Sequence, residues 1–372
     1  MRSTCRILAA TGLFALGAAP ALAADTFTIS GFGNQDYWRS PGNSVDASGD
    51  KGTFDNNFIG LDIGARITDR AHFYSQIESS TGGGTFLTWG FVDVVINDDA
   101  KLHVGAVKFP IGIYNEYIDV RALEMSIVLP AVYSQDADFV HDAYEGVGLD
   151  YILRLGTRGK VLLQGFAGNN YNPIGALSPS VPYPSQAQEG NLQAVTNDER
   201  TFGGRVTWET PLSGLRLLYS TDITMIETAS APGQVAGQVG YEPRNMLSVD
   251  YVTDRFDVKA EYLRHHVPGQ SGFADLSTHA WYVQAGYLDL GNWTPYLQYD
   301  SVVTDGARAS DPSYYERDIV LGVNYRIVDG VNFRVEEHLN HGYALPVASG
   351  YTQAEHGSPT WSLFAASVNF IF

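Results

Sequence analysis

Apolar and polar residues alternate along most of the chain. Phe333, Val335 and Leu339 interleave with Arg334, Glu336, His338 and Asn340. Ile319, Leu321, Val323 and Tyr325 interleave with Asp318, Asn324 and Arg326; Trp281, Val283, Ala285 and Tyr287 with Tyr282 and Gln284. Phe256, Val258, Ala260 and Tyr262 alternate with Asp257, Lys259 and Glu261, and Ile59, Leu61, Ile63 and Ala65 with Asp62 and Arg66. A strand sends successive side chains to opposite faces, so each segment reads as a strand with one apolar and one polar face. The last residues follow the rule: Phe364, Ala366, Val368 and Phe370 fall on one face, Ala365, Ser367 and Asn369 on the other, and the chain ends on Phe372. Glu337 and Arg264 break the pattern by falling on the apolar parity. The segment from Phe86 to Ile96 is apolar on both parities, and its faces are not assigned.

Turn signals punctuate these runs. Short ones fall at 68–70, 97–99, 156–159, 211–214, 253–255, 291–292 and 328–330, mostly Gly, Pro, Asn or Asp clusters. Longer connections fall near 39–54, 80–84, 110–142, 169–199, 225–242, 266–277, 304–314 and 342–358. Seven short turns and eight long connections join sixteen strands, with both ends of the sheet on the short-turn side. So many strands need an answer to the edge problem, and closure into a barrel supplies it. A β-sandwich with one dry face is the alternative, since it also alternates.

Composition then separates the environments. Arg2 and Arg6 precede a charge-free apolar run from Ile7 to Pro20, and Ala21-Leu22-Ala23 has the small-x-small form of a cleavage site. Residues 1–23 therefore read as a secretory signal peptide and 24–372 as the barrel. A retained anchor helix is the alternative, but the run is shorter than the ~20 residues a span needs. Cys5, the only cysteine, lies in the signal, so the mature chain has no disulfide and no thiolate chemistry. The mature balance is 21 basic against 41 acidic residues, which disfavours nucleic acid as a partner. No later stretch approaches 18 apolar residues, which excludes a helical membrane protein and leaves a transmembrane barrel, whose lipid-facing residues come only every second position. Turning the charged parity toward lipid would cost ~2–4 kcal/mol per Arg or Lys near the midplane; a wet lumen removes that cost. Trp and Tyr recur near strand ends, as interfacial girdles do. The fold class expected is all-β: a transmembrane antiparallel β-barrel of about 16 strands in a Gram-negative outer membrane.

The connection 110–142 is the most apolar. It holds Ile111, Ile113, Tyr114, Tyr117, Ile118, Val120, Leu123, Met125, Ile127, Val128 and Leu129. That content does not suit external water, and folding into the barrel would bury it. In strand number, third-loop length and terminal Phe372, the chain resembles the sixteen-stranded porins, whose third loop folds inward to narrow the pore. Val107-Lys108-Phe109-Pro110-Ile111-Gly112 and Tyr144-Glu145-Gly146-Val147-Gly148-Leu149 are similar to segments of the phosphate-selective-type porin superfamily. No dense arginine ladder accompanies them, so phosphate selectivity does not follow.

The residues expected at the constriction are Glu116, Asp119, Arg121, Glu124, Asp136 and Asp138 on the loop. On the wall, parity nominates Asp62, Arg66, Arg205, Arg216, Lys259, Glu261, Arg326, Arg334 and Glu336. Opposed acids and bases across a pore sort solutes by charge. His72, His103 and His338 share the lumen parity without metal-ligand spacing, and no metal or cofactor is expected. The function expected is passive diffusion of small hydrophilic solutes or ions, with no enzymatic activity. The excess of acid suggests weak cation preference, or at least disfavours strong anion selectivity. Alternatives are a non-channel barrel, such as an adhesin or scaffold, and a barrel hydrolase, for which no motif arranges Ser126, Ser134 and His141. A TonB-dependent transporter would need an amino-terminal plug. Outer-membrane lipid and lipopolysaccharide are the expected surroundings, and the resemblance implies a homotrimer.

Overall fold

The computed structural model describes residues 27–42, 49–54, 57–80, 84–134, 139–170, 174–175, 198–227, 239–267, 276–348 and 358–372. The segment assigned to the signal lies outside them. Sixteen long strands follow one another: β1 (Phe27–Arg39), β2 (Asn57–Thr68), β3 (Ala71–Ser80), β4 (Gly84–Asn97), β5 (Ala100–Lys108), β6 (Ala143–Arg154), β7 (Lys160–Asn170), β8 (Asp198–Glu209), β9 (Leu215–Glu227), β10 (Val239–Val252), β11 (Phe256–Val267), β12 (Leu276–Tyr287), β13 (Trp293–Val303), β14 (Tyr315–Val328), β15 (Val331–Gly342) and β16 (Thr360–Ile371). Ile174–Gly175 adds a two-residue strand beside Phe86 and Leu87 of β4. Each long strand pairs antiparallel with the next, and β16 pairs back onto β1 from Phe32–Ile371 to Arg39–Phe364, closing the sheet. The strand count and the short and long connections match those expected from the turn signals.

Alternation decides the two faces of the closed sheet. Ile59, Leu61, Leu149, Leu247, Leu297 and Leu321 are exposed on the outer one. The other buries Asp36, Gln76, Glu261, Gln284, Asp300 and Glu336. In β16 the outer set is Phe364, Ala366, Val368 and Phe370, as its pattern predicts, with Ala365, Ser367 and Asn369 buried behind it. Within β4 the two-sided apolarity has a cause. Register shifts between Gln76 and Ile77, so the strand changes parity midway. Trp89 then shares the inner face with Gln76 and donates its indole N–H to the Gln76 Oε1 at 3.0 Å. Glu337 does sit on the outer face, opposite Leu321 and Phe364; nothing in the structure explains it. Arg264 also faces outward, near the end of β11.

One feature of the inner face was not expected. Leu218, Met246, Leu263, Tyr282 and Val302 are buried on the polar parity. They join one apolar cluster with Ile111, Ile113, Tyr114, Val132 and Tyr133, all from the connection between β5 and β6. Trp361 and Leu363 form a second patch with Trp38 and Val128.

Candidate functional site

The β5–β6 connection is a string of three single-turn 3-10 helices, Asn115–Tyr117, Arg121–Leu123 and Ala131–Tyr133, tied to strands on the far side of the ring. It opens at Gly112, whose φ of +61° is a left-handed conformation that suits glycine. A Cβ there would lie 2.3 Å from the Tyr133 hydroxyl and 2.8 Å from Glu261 Oε1. The close approach lets the Gly112 N–H donate to Ser220 Oγ at 3.0 Å while its carbonyl accepts from Arg205 Nη1 at 2.8 Å.

Glu261 is the first anchor. Its Oε1 accepts from the Ile113 N–H at 2.9 Å and from Ser248 Oγ, and its Oε2 accepts from the Tyr282 hydroxyl at 2.9 Å and from the Tyr133 hydroxyl. Tyr133 in turn accepts from the N–H groups of Ile113 and Tyr114 at 2.7 and 2.9 Å. Glu336 is the second. It takes the Ile127 N–H at 2.6 Å, the Val128 N–H at 3.2 Å and the Tyr296 hydroxyl. Asp300 accepts from the Ala131 N–H at 3.0 Å, and Arg334 donates to the carbonyls of Arg121 and Ala122 at 2.7 and 3.1 Å. These wall groups satisfy backbone donors and acceptors that an irregular segment cannot pair within itself.

Of the residues nominated from the sequence, Arg205, Glu261, Arg334 and Glu336 thus meet the loop as fastenings. Arg205 also pairs with Glu116, and Lys108 holds Asp119 and Asp142. Arg121 and Glu124 pair with each other at 3.2 Å. Lys259 is bound to Asp257 and stands 5.8 Å from the centre of the Tyr114 ring. Asp62 accepts from Gln76 at 2.9 Å. Arg66, Arg216 and Arg326 lie toward the short turns; Arg216 pairs with Asp250, and Arg66 and Arg326 are exposed. Asp136 and Asp138 lie outside the described residues. Asp36, Asp300, Glu316 and Asp318 were missed as candidates. Their shared parity was a usable signal for all of them, because it placed each carboxylate on the face away from lipid.

Two cavities flank the loop. The larger, about 510 Å3, lies on its long-connection side and is lined by Asp36, Glu78, Asp119, Asp300, Glu316 and Asp318, with Arg121 and His338 as the basic groups. His338 is already engaged by Asp318 at 2.6 Å and Glu336 at 3.0 Å. The smaller, about 380 Å3, lies on the short-turn side and is lined by Glu124, Asp257, Lys259, Arg326 and Arg334. Acidic groups therefore outnumber basic ones in the first cavity, and basic groups outnumber acidic ones, three to two, in the second.

On the loop, burial pushes the Glu124 carboxyl up to about 7, against the pull of the Arg121 and Arg334 guanidiniums. Below pH 6 the group is mainly neutral; above pH 8 it adds one negative charge. The net charge inside the barrel should therefore grow more negative across that interval, as read by acid–base titration of the purified protein, and Glu124→Gln should flatten the change. An unchanged pH profile in the variant would remove Glu124 from the account. Ser126 is buried with its Oγ accepting from Gln284 at 3.3 Å, and the His141 ring packs against Phe109. Among the described residues no cluster of potential metal ligands occurs.

A closed, sixteen-stranded antiparallel barrel whose long third connection reaches across to distant strands has the architecture of outer-membrane porins. No family model matches the sequence, and no curated protein matches it. Solved structures do. The anion-selective porin of Comamonas acidovorans superposes with a TM-score of 0.61 at 12% identity, covering 93% of this chain and 99% of that one. The outer-membrane protein OmpT of Vibrio cholerae gives 0.59 at 12% identity, covering 94% and 99%. The outer-membrane channel DcaP of Acinetobacter baumannii gives 0.54 at 13% identity, covering 94% and 99%. At such identities the likeness is one of fold.

Proposed function

We propose that the chain is a passive diffusion porin of a Gram-negative outer membrane. Small hydrophilic solutes cross through the barrel, and the β5–β6 loop narrows the bore as its constriction. The carrying observation is that wall groups from β8, β9, β11, β12, β13 and β15 all bond to this one loop. Bonds from one segment to so many strands of a closed ring support a path through its interior. The alternation of exposed apolar and buried polar residues supports placement in lipid. Similarity to trimeric outer-membrane proteins such as an in-vitro folded trimer form of OmpT supports a homotrimer. No step of covalent chemistry is assigned to the chain.

The acid-lined cavity sets the charge preference. Six carboxyl groups face Arg121 and an engaged His338 at the long-connection side of the loop, two of them, Asp119 and Asp318, already paired with Lys108 and His338; those of the rest that ionise as pH rises make the potential there negative, and low-dielectric walls focus it. Cations are concentrated there and anions are repelled. The anion selectivity named for the Comamonas porin is accordingly not carried over.

Planar-bilayer recording of the purified barrel tests both parts. Discrete conductance steps are expected, with a reversal potential under a KCl gradient whose sign marks cation preference. Asp36→Asn should move that potential toward neutrality, because this side chain does not fasten the loop. Absence of steps would defeat the channel reading and favour a non-channel scaffold. Steps with anion preference would defeat only the assignment of charge.

A further inference from the structure

On the outer face, basic side chains gather in one place. Arg264 of β11 stands opposite His279 of β12, and Arg317 of β14 stands opposite His341 of β15. Arg264, Arg317 and His341 are exposed. Cross-strand pairing links the two sets: His279 faces Val303, Val303 faces Tyr315, and Trp281 faces Ser301, which faces Arg317. The cluster therefore covers adjoining rows of one curved patch. With strands about 4.8 Å apart and a rise of about 3.4 Å per residue, Arg264 and Arg317 are roughly 16 Å from each other.

Three further observations give this patch a meaning. First, it adjoins an aromatic belt: Tyr262 faces Trp281, and the Trp281 and Tyr299 rings pack at 5.2 Å. Such rings mark the level of lipid headgroups. All four basic residues lie toward the long-connection ends of their strands, the external side in outer-membrane barrels, whose periplasmic turns are short and whose outer loops are long. Secondly, charge is sorted by face. On β11 to β16 the outward parity carries a single carboxylate among the described residues, Glu337, four residues along β15 from His341. The inward parity of the same strands carries Asp257, Glu261, Asp300, Glu316, Asp318 and Glu336. Thirdly, neither guanidinium has a carboxylate partner among the described residues, and Arg317 lies 5.6 Å from the centre of the Tyr315 ring. The Tyr315 hydroxyl and Thr360 Oγ1 each stand 3.0 Å from a ring nitrogen of His341, which fixes that ring beside Arg317.

We propose that this patch binds the phosphorylated headgroup of an outer-leaflet lipid, with Arg264 and Arg317 each placed to meet a phosphate and the Tyr262–Trp281–Tyr299 belt meeting the start of the acyl chains. In a chain with 41 acidic residues against 23 basic ones, two arginines aimed at the membrane need an anionic counterpart from the membrane itself. The proposal rests on the outer-membrane placement above and deepens it by naming the lipid chemistry.

The test uses the detergent-purified mature barrel and a fluorescent bis-phosphorylated lipid A, with its dephosphorylated form as the control. Saturable binding to the phosphorylated lipid is expected, at least about tenfold tighter than to the control. Arg264→Gln with Arg317→Gln should abolish that difference, and Arg→Lys at both positions should restore part of it. Inorganic phosphate at millimolar concentration should compete poorly, since it lacks the chains the aromatic belt would hold. Equal binding of the two lipids, or an undiminished preference in the double Gln variant, would overturn the proposal, as would full competition by inorganic phosphate. Conductance is recorded on the same samples: unchanged steps in the variant show that the barrel is folded and keep a failure here separate from a failure of the channel reading.

Discussion

Replacing residues 113–132 with a short Gly-Ser linker should raise single-channel conductance several-fold and erase much of the charge preference. The removed segment carries Glu116, Asp119, Arg121 and Glu124 and separates the two cavities. The same variant should unfold at a lower temperature. Leu218, Met246, Leu263 and Tyr282 lose their loop partners and meet water, at a cost of about 1.5–3 kcal/mol for each large side chain that becomes fully exposed. Bilayer recording reads the first effect and the heat-induced shift in gel mobility reads the second. A deletion that leaves conductance unaltered would show that the bore is limited elsewhere. A deletion that leaves thermal resistance unaltered would show that the inner apolar patch is not supported by the loop.

Glu261→Ala should loosen the constriction without opening the barrel. Four donors converge on this carboxylate, two from the loop and two from the wall. Hydrogen bonds to a charged acceptor are the stronger kind, and buried donors left unpaired add a desolvation penalty, so the loss is roughly 3 kcal/mol or more. The expected signature is a noisy trace with brief closures, a normal strand signal in circular dichroism and faster proteolysis within residues 113–133. Glu261→Gln, which retains one acceptor oxygen, should be milder. A quiet trace from the alanine variant would mean that Glu336, Asp300 and Arg334 suffice to hold the loop.

Much of the architecture is legible in the sequence because the membrane enforces it. Lipid demands an apolar side chain at every second position, so period and turn signals give the sixteen strands and separate the faces of β11, β15 and β16. The pattern fails in β4, where a register shift beside Gln76 moves the parity within one strand. The candidate site is legible only in part. The apolar content of the β5–β6 connection announces that it is covered, and parity finds Glu261, Arg334 and Glu336. Parity cannot say that they fasten a loop, because a carboxylate facing water and one facing a backbone N–H look alike in a sequence. The better clue was the reverse anomaly. Leu263 sits between Glu261 and His265 on the polar face, and Met246 between Arg244 and Ser248. An apolar residue on a wet wall implies something dry in front of it.

The distance along the chain between the loop and its fastenings dictates an order of assembly. Residues 112–133 are joined to Arg205, Glu261, Asp300 and Glu336, so the groups that hold them arrive 89 to 209 positions later. Closure is later still: β16 pairs with β1, and Ser367 donates to Asp36 across 331 positions. Until those strands are in place, an apolar segment and an open strand edge remain uncovered together. A maturing chain of this design leaves both open to self-association until the ring is complete.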